Sequence, residues 1–563
     1  MLDLVIRGGT VIDGTGGPPQ RAAVGIRDGR IAFVDPDRRE ALDARRSIDA
    51  DGLVVSPGFV DIHTHFDAQV FWDPMCSPSS HHGITTVFAG NCGFSIAPIS
   101  DDPAYVMRLL SKVEGIPLEA LEGGVPWNWK GFEQYLDAVA SLALGVNIGV
   151  SVGHSAIRSA AMGPARYDRD VTDSDLHAMA AMVAGAMGAG AFGFSSSSGT
   201  NHLDGDGMPV PSRAAGRDEL VALSGTLRSF PGAQLEFIPT NDRFEEDHLE
   251  TMTAMAVAAQ ATLNWNILVP RDQDWVDNRM SASDHARARG ATVVGLSYPD
   301  VQPIRMSFQS VGFHSTAGLD TLPGWADILA LPDDQRLAAF RDTRKRSILR
   351  RGALSAAGQA RNFSAMIVAE TGGGNGSYVG RSIGDIAAEL RCDAVDVLLD
   401  IAVADRFRTL LMASPRAADE EAWAARRRTW KDPRVIIGAS DGGAHVDVLA
   451  TYDYPVRFLA RQRELGVLSL PEAIEKLTDV PARLYGATDR GRLAAGYRAD
   501  IVIFDPEAIA PGALEWKRDL PAGAGRLYSE PVGIRDVIVN GAAIIHENRV
   551  TGARPGQLLR RRL

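Results

Sequence analysis

Cysteine is scarce in this chain: Cys76, Cys92 and Cys392 are the only three in 563 residues. Three thiols cannot build a disulfide framework, which points to a reducing compartment. Positive charge is not in excess either, and a net charge of -12 leaves no electrostatic footprint for nucleic acid or acidic membranes. No run of roughly eighteen apolar residues occurs, which argues against a membrane span. The opening Met1-Leu2-Asp3-Leu4-Val5-Ile6-Arg7 lacks the basic start and long apolar centre of a secretory signal. A cytoplasmic protein with neither nucleic-acid nor membrane partners is therefore expected.

What is present describes an ordinary soluble globular protein, 45% hydrophobic and 23% charged. The length exceeds what one core supports, so at least two folding units are expected. Residues 1–55 read as short strands punctuated by glycine and aspartate, among them Leu4-Val5-Ile6 and Ala23-Val24-Gly25-Ile26. The far end, 486–563, repeats that texture in Ile501-Val502-Ile503-Phe504 and Val537-Ile538-Val539. The two ends are read as halves of one composite β-sandwich. Between them, 56–485 alternates apolar runs with helical stretches, the pattern of a parallel α/β architecture. The runs lie at 54–59, 85–88, 147–152, 191–194, 234–238, 262–268, 292–296 and 435–438, and eight of them fit a TIM-like (β/α)8 barrel. The methionines of the helical stretch Asp173 to Met187 read as core packing. A segment at about 297–360 is too long for a usual connection and reads as a helical excursion, one that covers the mouth or meets another subunit of a homo-oligomer. Its charge run, including Arg344, Lys345, Arg346 and Arg350, reads as a solvated helix face.

Polar residues gather just after the strands, where such a barrel places its chemistry. The first run leads into Asp61-Ile62-His63-Thr64-His65-Phe66-Asp67. Two histidines one residue apart on a strand face the same way, which aims both imidazoles at one metal ion; the alternative is a polar strand end. After the second run, Gly90-Asn91-Cys92-Gly93 lets the backbone turn sharply and bring sulfur toward the axis, where Cys92 is a metal ligand or a small buried hydrophobe. After the third, His154 has a structural or a substrate-facing role. Ser195 to Ser198 after the fourth is a polar lining without a base beside it. The last run delivers Ser440-Asp441-Gly442-Gly443-Ala444-His445. Asp441 can bind metal or carry a proton from water to a leaving nitrogen, or else cap a helix. Gly438-x-Ser440-x-Gly442 also spells a nucleophile elbow, but it lacks a well-placed partner histidine further along. His81 and His82, before the second run, read as surface residues at the opposite end.

Taken in order, the stretches at 58–65, 90–93, 153–155 and 440–445, with Gly496-Tyr497-Arg498-Ala499-Asp500, resemble the amidohydrolase superfamily, and more narrowly the N-acyl-D-amino-acid deacylases. The resemblance implies a (β/α)8 barrel with a composite sandwich, and zinc, one or two ions or another divalent metal, bound through His63, His65, Cys92 and Asp441. It also implies hydrolysis of a linear amide. Two departures stand out. The family's histidines ending the fifth and sixth strands are absent, and Glu236 and Asn266 are the nearest polar residues. The family's lysine after the sixth strand is absent too, leaving Arg271 nearby, with Arg381 as a second candidate for a substrate carboxylate.

The favoured reading is an amidohydrolase in which His63, His65 and Asp441, helped by Cys92 or Glu236, hold a divalent ion that activates water. Asp441 shuttles the proton, His154 steadies the oxyanion, and Ser195, Asn266 and Arg381 face a small-molecule amide such as an N-acyl amino acid. The alternatives are the same chemistry on a cyclic amide, carbamate or xenobiotic amide, and a metal-free binding or scaffold protein on a degenerate barrel.

Overall fold

The apolar runs of the central chain form parallel strands, buried at nearly every position. The computed structural model describes residues 1–35, 43–100, 103–168, 170–302, 304–308, 319–359, 362–412 and 418–561. In order the strands are β1 (Phe59–Asp61), β2 (Ile84–Ala89), β3 (Asn147–Val150, resumed after Ser151 as Val152–Gly153), β4 (Gly193–Ser197), β5 (Gln234–Ile238), β6 (Leu263–Trp265), β7 (Val293–Ser297) and β8 (Val435–Ile437). Burial on both faces is why they read as continuous rather than alternating hydrophobic runs. Neighbours in sequence are neighbours in space. β1 pairs with β2 and β2 with the first half of β3, while the second half pairs with β4 and the series continues to β8. A parallel bridge between Thr64 and Gly442 links the segment after β1 to the segment after β8. The fold is mixed α/β. Its helices include Asp173–Ala189, opened by a Thr172 hydroxyl that accepts the Asp175 N–H and closed by left-handed Gly190. Met179 and Met187 lie on its buried face, as core packing requires.

Strands from the two chain ends share one sheet. A seven-stranded sheet runs in the order Arg549–Val550, Ala542–His546, Ile534–Val539, Ile501–Phe504, Val54–Pro57, Thr10–Val11 and Gln20–Arg21. A four-stranded sheet contains only N-terminal strands, Arg30–Asp35, Ala23–Arg27, Leu2–Arg7 and Ala44–Asp49. Alternation along Ile501–Phe504 connects this region to the central domain. Ile501 and Ile503 pack with Leu4, Ile6, Val24 and Ile26, whereas Val502 and Phe504 belong to the large core around the parallel strands.

Between β7 and β8 a lobe with its own hydrophobic core spans Met306 to Leu411, centred on Trp325, Phe340, Leu349 and Leu398. A small antiparallel sheet, Arg305–Met306, Leu410–Met412 and Ile367–Glu370, forms part of it. Residues 303, 309–318 and 360 of the anticipated excursion lie outside the described residues. Its charge run is not simply solvated: Arg346 and Arg350 reach Asp400 and Asp396 at 2.5 and 2.7 Å on the helix Ala394–Ala404. His81 and His82 also differ from the surface placement expected of them. His82 is fully buried, with Nε2 3.1 Å from the Ser529 carbonyl oxygen, and His81 pairs with Glu530 at 2.8 Å, because the C-terminal segment folds back over this end. Among the described residues, no helix is long and apolar enough to cross a membrane.

Asp500 joins the terminal sheet to the parallel strands. Its carboxylate accepts hydrogen bonds from Arg490 (2.7 Å), from the Asn147 side chain on β3 (3.2 Å) and from the Asn540 N–H (2.7 Å), while its carbonyl accepts the Gly58 N–H just before β1. Asp500→Ala would take from Arg490 its buried carboxylate, leaving it only the half-exposed Asp489 at 3.3 Å, and we expect a loss of about 3 kcal/mol of stability. Denaturant midpoints of the variant and parent test this.

Candidate metal centre

His63 and His65 follow β1 on an extended segment anchored on both sides. The Thr64 N–H and hydroxyl both donate to the Phe88 carbonyl on β2, at 3.1 and 2.8 Å. On the other side the His65 N–H donates to the Gly442 carbonyl (2.7 Å), and the Ser440 hydroxyl donates to the His63 carbonyl (3.2 Å). Ser440 is therefore a strut between the first and last strands, not an activated nucleophile. With the backbone fixed, the two imidazoles lie edge to face with centroids 5.4 Å apart.

Cys92 arrives on the turn after β2. Gly90 has φ +78°, and a Cβ there would lie 2.0 Å from the Ser151 carbonyl oxygen, so this tight turn admits only glycine. Cys92 itself is left-handed, at φ +57°. The turn is held by Asn91, whose amide donates to the Thr64 and Phe88 carbonyls, and by Ser195. The Ser195 hydroxyl donates to the Gly90 carbonyl (2.6 Å) and accepts the Gly93 N–H (3.0 Å). Asp441, after β8, is also left-handed, at φ +49°.

These three segments bring four donor atoms together. Cys92 Sγ is 3.4 Å from His63 Nε2 and 3.8 Å from His65 Nε2, and Asp441 Oδ1 is 3.2 and 3.9 Å from the same two nitrogens. Ligands on a tetrahedral zinc, at ~2.0–2.3 Å from the ion, stand about 3.3–3.8 Å from one another. His63, His65 and Cys92 form a group whose spacing and nitrogen and sulfur chemistry fit such an ion, and Asp441 stands beside the two imidazoles, so the fourth place stays open to water. The histidines and Cys92 are buried, whereas the Asp441 side chain is 21% exposed, so the centre opens to solvent on the Asp441 side.

Several anticipated residues stand elsewhere. Glu236 lies beside the centre, where Oε2 accepts the Cys92 N–H at 2.8 Å and Oε1 accepts the Asn266 amide, so it braces the cysteine turn. Asn266 gives its amide N–H to Glu236, while its Oδ1 is buried without a hydrogen-bond partner among the described residues. His154 is fully buried, with Nδ1 2.8 Å from the Ser196 hydroxyl and Nε2 2.9 Å from Glu219. A neutral imidazole has one donor and one acceptor, so neither nitrogen remains to steady an oxyanion. Glu219 also takes Arg158; burial pushes its carboxyl up, but the hydrogen bonds with His154 and Arg158 hold it below the usual range. Ser195 is a structural brace. Arg381 pairs with Glu389 at 2.5 Å beside Tyr378, and Arg271 stacks over Trp275 at 3.8 Å.

The surroundings are rich in buried acid. Burial pushes Asp61, Asp67 and Glu236 up to about 7 and Glu114 well above the carboxylate range. Burial also drives the Cys92 thiol well up, aided by Glu236, Glu114, Asp441 and Asp67. Burial lowers His65, aided by His63 and His202. Burial opposes charge on His63 as well, but the bond and charge of Asp441, with Glu236 and Asp61, raise it overall. Without a cation the pocket holds protons, and a cation displaces them. Glu114 and His202 were not anticipated: one ends a connecting helix and the other sits in a polar loop, and neither belongs to a local motif.

A model of the amidohydrolase family matches residues 46–545. The chain belongs to the amidohydrolase family. This amidohydrolase is 30% identical over 566 residues to N-acyl-D-aspartate deacylase of Alcaligenes xylosoxydans xylosoxydans, covering 99% of this chain and 95% of that one. A solved D-aminoacylase with a binuclear metal centre, activated by one metal and attenuated by the second, matches over 100% of both chains at 25% identity and a TM-score of 0.66. The N-acyl-D-glutamate deacylase of Bordetella bronchiseptica, solved with zinc and a phosphonate mimic of the tetrahedral intermediate, matches over 99% of both at 25% identity and a TM-score of 0.67.

The buried acids give a pH signature. Asp61, Asp67 and Glu236 keep their protons to about 7 when folded but lose them near the ordinary 3.8 and 4.5 when unfolded. Across that window the unfolded chain binds fewer protons, so this contribution to stability falls as pH rises and levels off above about 7. Asp61→Asn removes one of the three groups. The metal-free variant is expected to show a shallower decline in melting temperature than the parent between about pH 5 and about pH 7, measured by calorimetry.

Proposed function

We propose that this amidohydrolase uses one divalent ion, zinc by preference, to hydrolyse the acyl amide of an N-acyl amino acid. The convergence of His63 Nε2, His65 Nε2 and Cys92 Sγ, with Asp441 Oδ1 beside the two imidazoles, carries the reading. When bound, the ion supplies Lewis acidity, polarising an acyl carbonyl and lowering the pKa of water to about 7. Asp441 is the donor nearest solvent; it takes the proton of the attacking water and hands it to the departing nitrogen. Cys92 and His65, held from behind, keep the donor set closed on its inner side. Glu236, with both oxygens engaged, stands where the family pattern places a histidine, which favours one ion over two.

The same reading takes the parallel strands as a closed (β/α)8 barrel over 56–485 and the terminal sheets, one of them shared, as a composite sandwich from 1–55 and 486–563. The Thr64–Gly442 bridge and the two-core alternation of Ile501–Phe504 support both. We place the protein in the cytoplasm, where its three unpaired cysteines are at home. The deacylase relatives favour an N-acyl-D-amino acid as substrate. A second reading, an amide without a free carboxylate such as a cyclic amide or carbamate, is favoured by the engagement of Arg271 with Trp275 and of Arg381 with Glu389. The scaffold alternative loses ground to the intact donor set.

Metal analysis after zinc supplementation is expected to find about one equivalent per chain. Hydrolysis of an N-acyl-D-amino-acid panel, run beside hydantoins and carbamates, should stop on chelation and return with zinc. A protein that takes up no cation refutes the proposal. Cys92→Ala is expected to lose the bound ion, and retention of full metal and rate would remove sulfur from the donor set. Asp441→Asn should lower kcat by roughly 10²–10⁴-fold, the usual weight of a positioned proton carrier.

A further inference from the structure

His65 presents Nε2 to the donor cluster, and its other nitrogen is buried without a hydrogen-bond partner among the described residues. A neutral imidazole that offers Nε2 to a cation must carry its proton on Nδ1, and that N–H needs an acceptor. The carboxyl of Glu114, 2% exposed, stands 3.5 Å away through Oε1. We propose that Glu114 is the positioning residue of the centre: it accepts the Nδ1 proton of His65 and so fixes the tautomer and ring orientation that turn Nε2 to the ion. This rests on the metal reading above.

The local fold is built to hold that carboxyl in place. Glu114 follows the helix Pro103–Val113, its N–H still bonded to the Leu110 carbonyl at 2.9 Å. Gly115, left-handed at φ +62°, turns the chain immediately afterwards. His445 then embraces Glu114 from two sides. Its N–H donates to the Glu114 carbonyl at 2.5 Å, and its ring Nε2 lies 3.9 Å from Oε2. Because His445 is four residues beyond Asp441, Glu114 lies between a ligand from the first strand and the segment that delivers the ligand from the last. Acceptors behind ligating histidines typically govern metal affinity by 10–100-fold.

The test uses the full chain, stripped of metal and titrated with Zn2+ against a chromophoric chelator, and with Co2+ for its visible spectrum. Glu114→Met fills the buried slot with an apolar chain of similar length but offers no acceptor. Glu114→Gln restores an oxygen. We expect Glu114→Met to weaken zinc binding about 10–100-fold and to change the cobalt d–d bands, and Glu114→Gln to stay within about threefold of the parent. Melting temperatures of the metal-free proteins report folding separately. Glu114→Met and Glu114→Gln binding alike, whether both tight or both weak, would overturn the assignment. Should Glu114→Met fail to fold, Glu114→Gln and His445→Ala decide: the proposal stands if Glu114→Gln keeps the parent spectrum while His445→Ala perturbs it, and falls otherwise. A parent chain that binds neither metal defeats the metal reading itself, whereas a parent that loads beside an indifferent Glu114→Met defeats only this inference.

Discussion

The centre depends on a short backbone clamp. Thr64 is bonded to β2 through Phe88, and His63 and His65 on either side of it are bonded to the segment after β8 through Ser440 and Gly442. Without that clamp, two histidines on one strand would share a direction but not a fixed distance from Cys92 and Asp441. With it, the side chains inherit the register of hydrogen-bonded backbone, and the donor spacing becomes a property of the fold rather than of rotamer choice. Pre-organisation of this kind lowers the entropic cost of assembling a coordination sphere.

The left-handed residues at Gly90, Cys92 and Asp441 serve the same end. Each reverses the chain within a few residues of a strand end, so that a side chain points back over the strands instead of outward. Glycine bears the tightest of these turns. Cys92 and Asp441, which cannot give up their side chains, adopt the less favourable conformation because the surrounding bonds, Cys92 N–H to Glu236 and Gly442 N–H to Ser440, hold them there.

Much of this was legible in the chain itself, since period and punctuation carry it. The parallel strands announce themselves as short apolar runs, and His63, His65, Cys92 and Asp441 each follow such a run directly. Residues whose surroundings are set by a partner distant in sequence are not legible there. Glu236 looks like a ligand until the Cys92 N–H and the Asn266 amide are seen to use both its oxygens. His154 looks catalytic until Ser196 and Glu219 occupy its ring. Ser195 looks like pocket lining until Gly90 and Gly93 close on it. Glu114 offers no local signal at all, because its meaning lies in two histidines 49 residues before it and 331 after it along the chain.

The strand Val54–Pro57 leads straight into β1, and of its two neighbours in the sheet one, Thr10–Val11, is near in sequence while the other is Ile501–Phe504. Translation delivers Val54–Pro57 and Ile501–Phe504 about 450 residues apart. The ribosome must therefore release nearly the whole polypeptide before the platform beneath the first two imidazoles can set, and the emerging chain carries an unpaired, β-branched edge through most of its synthesis. Late, long-range closure of this kind slows folding and leaves a strand edge exposed in the meantime.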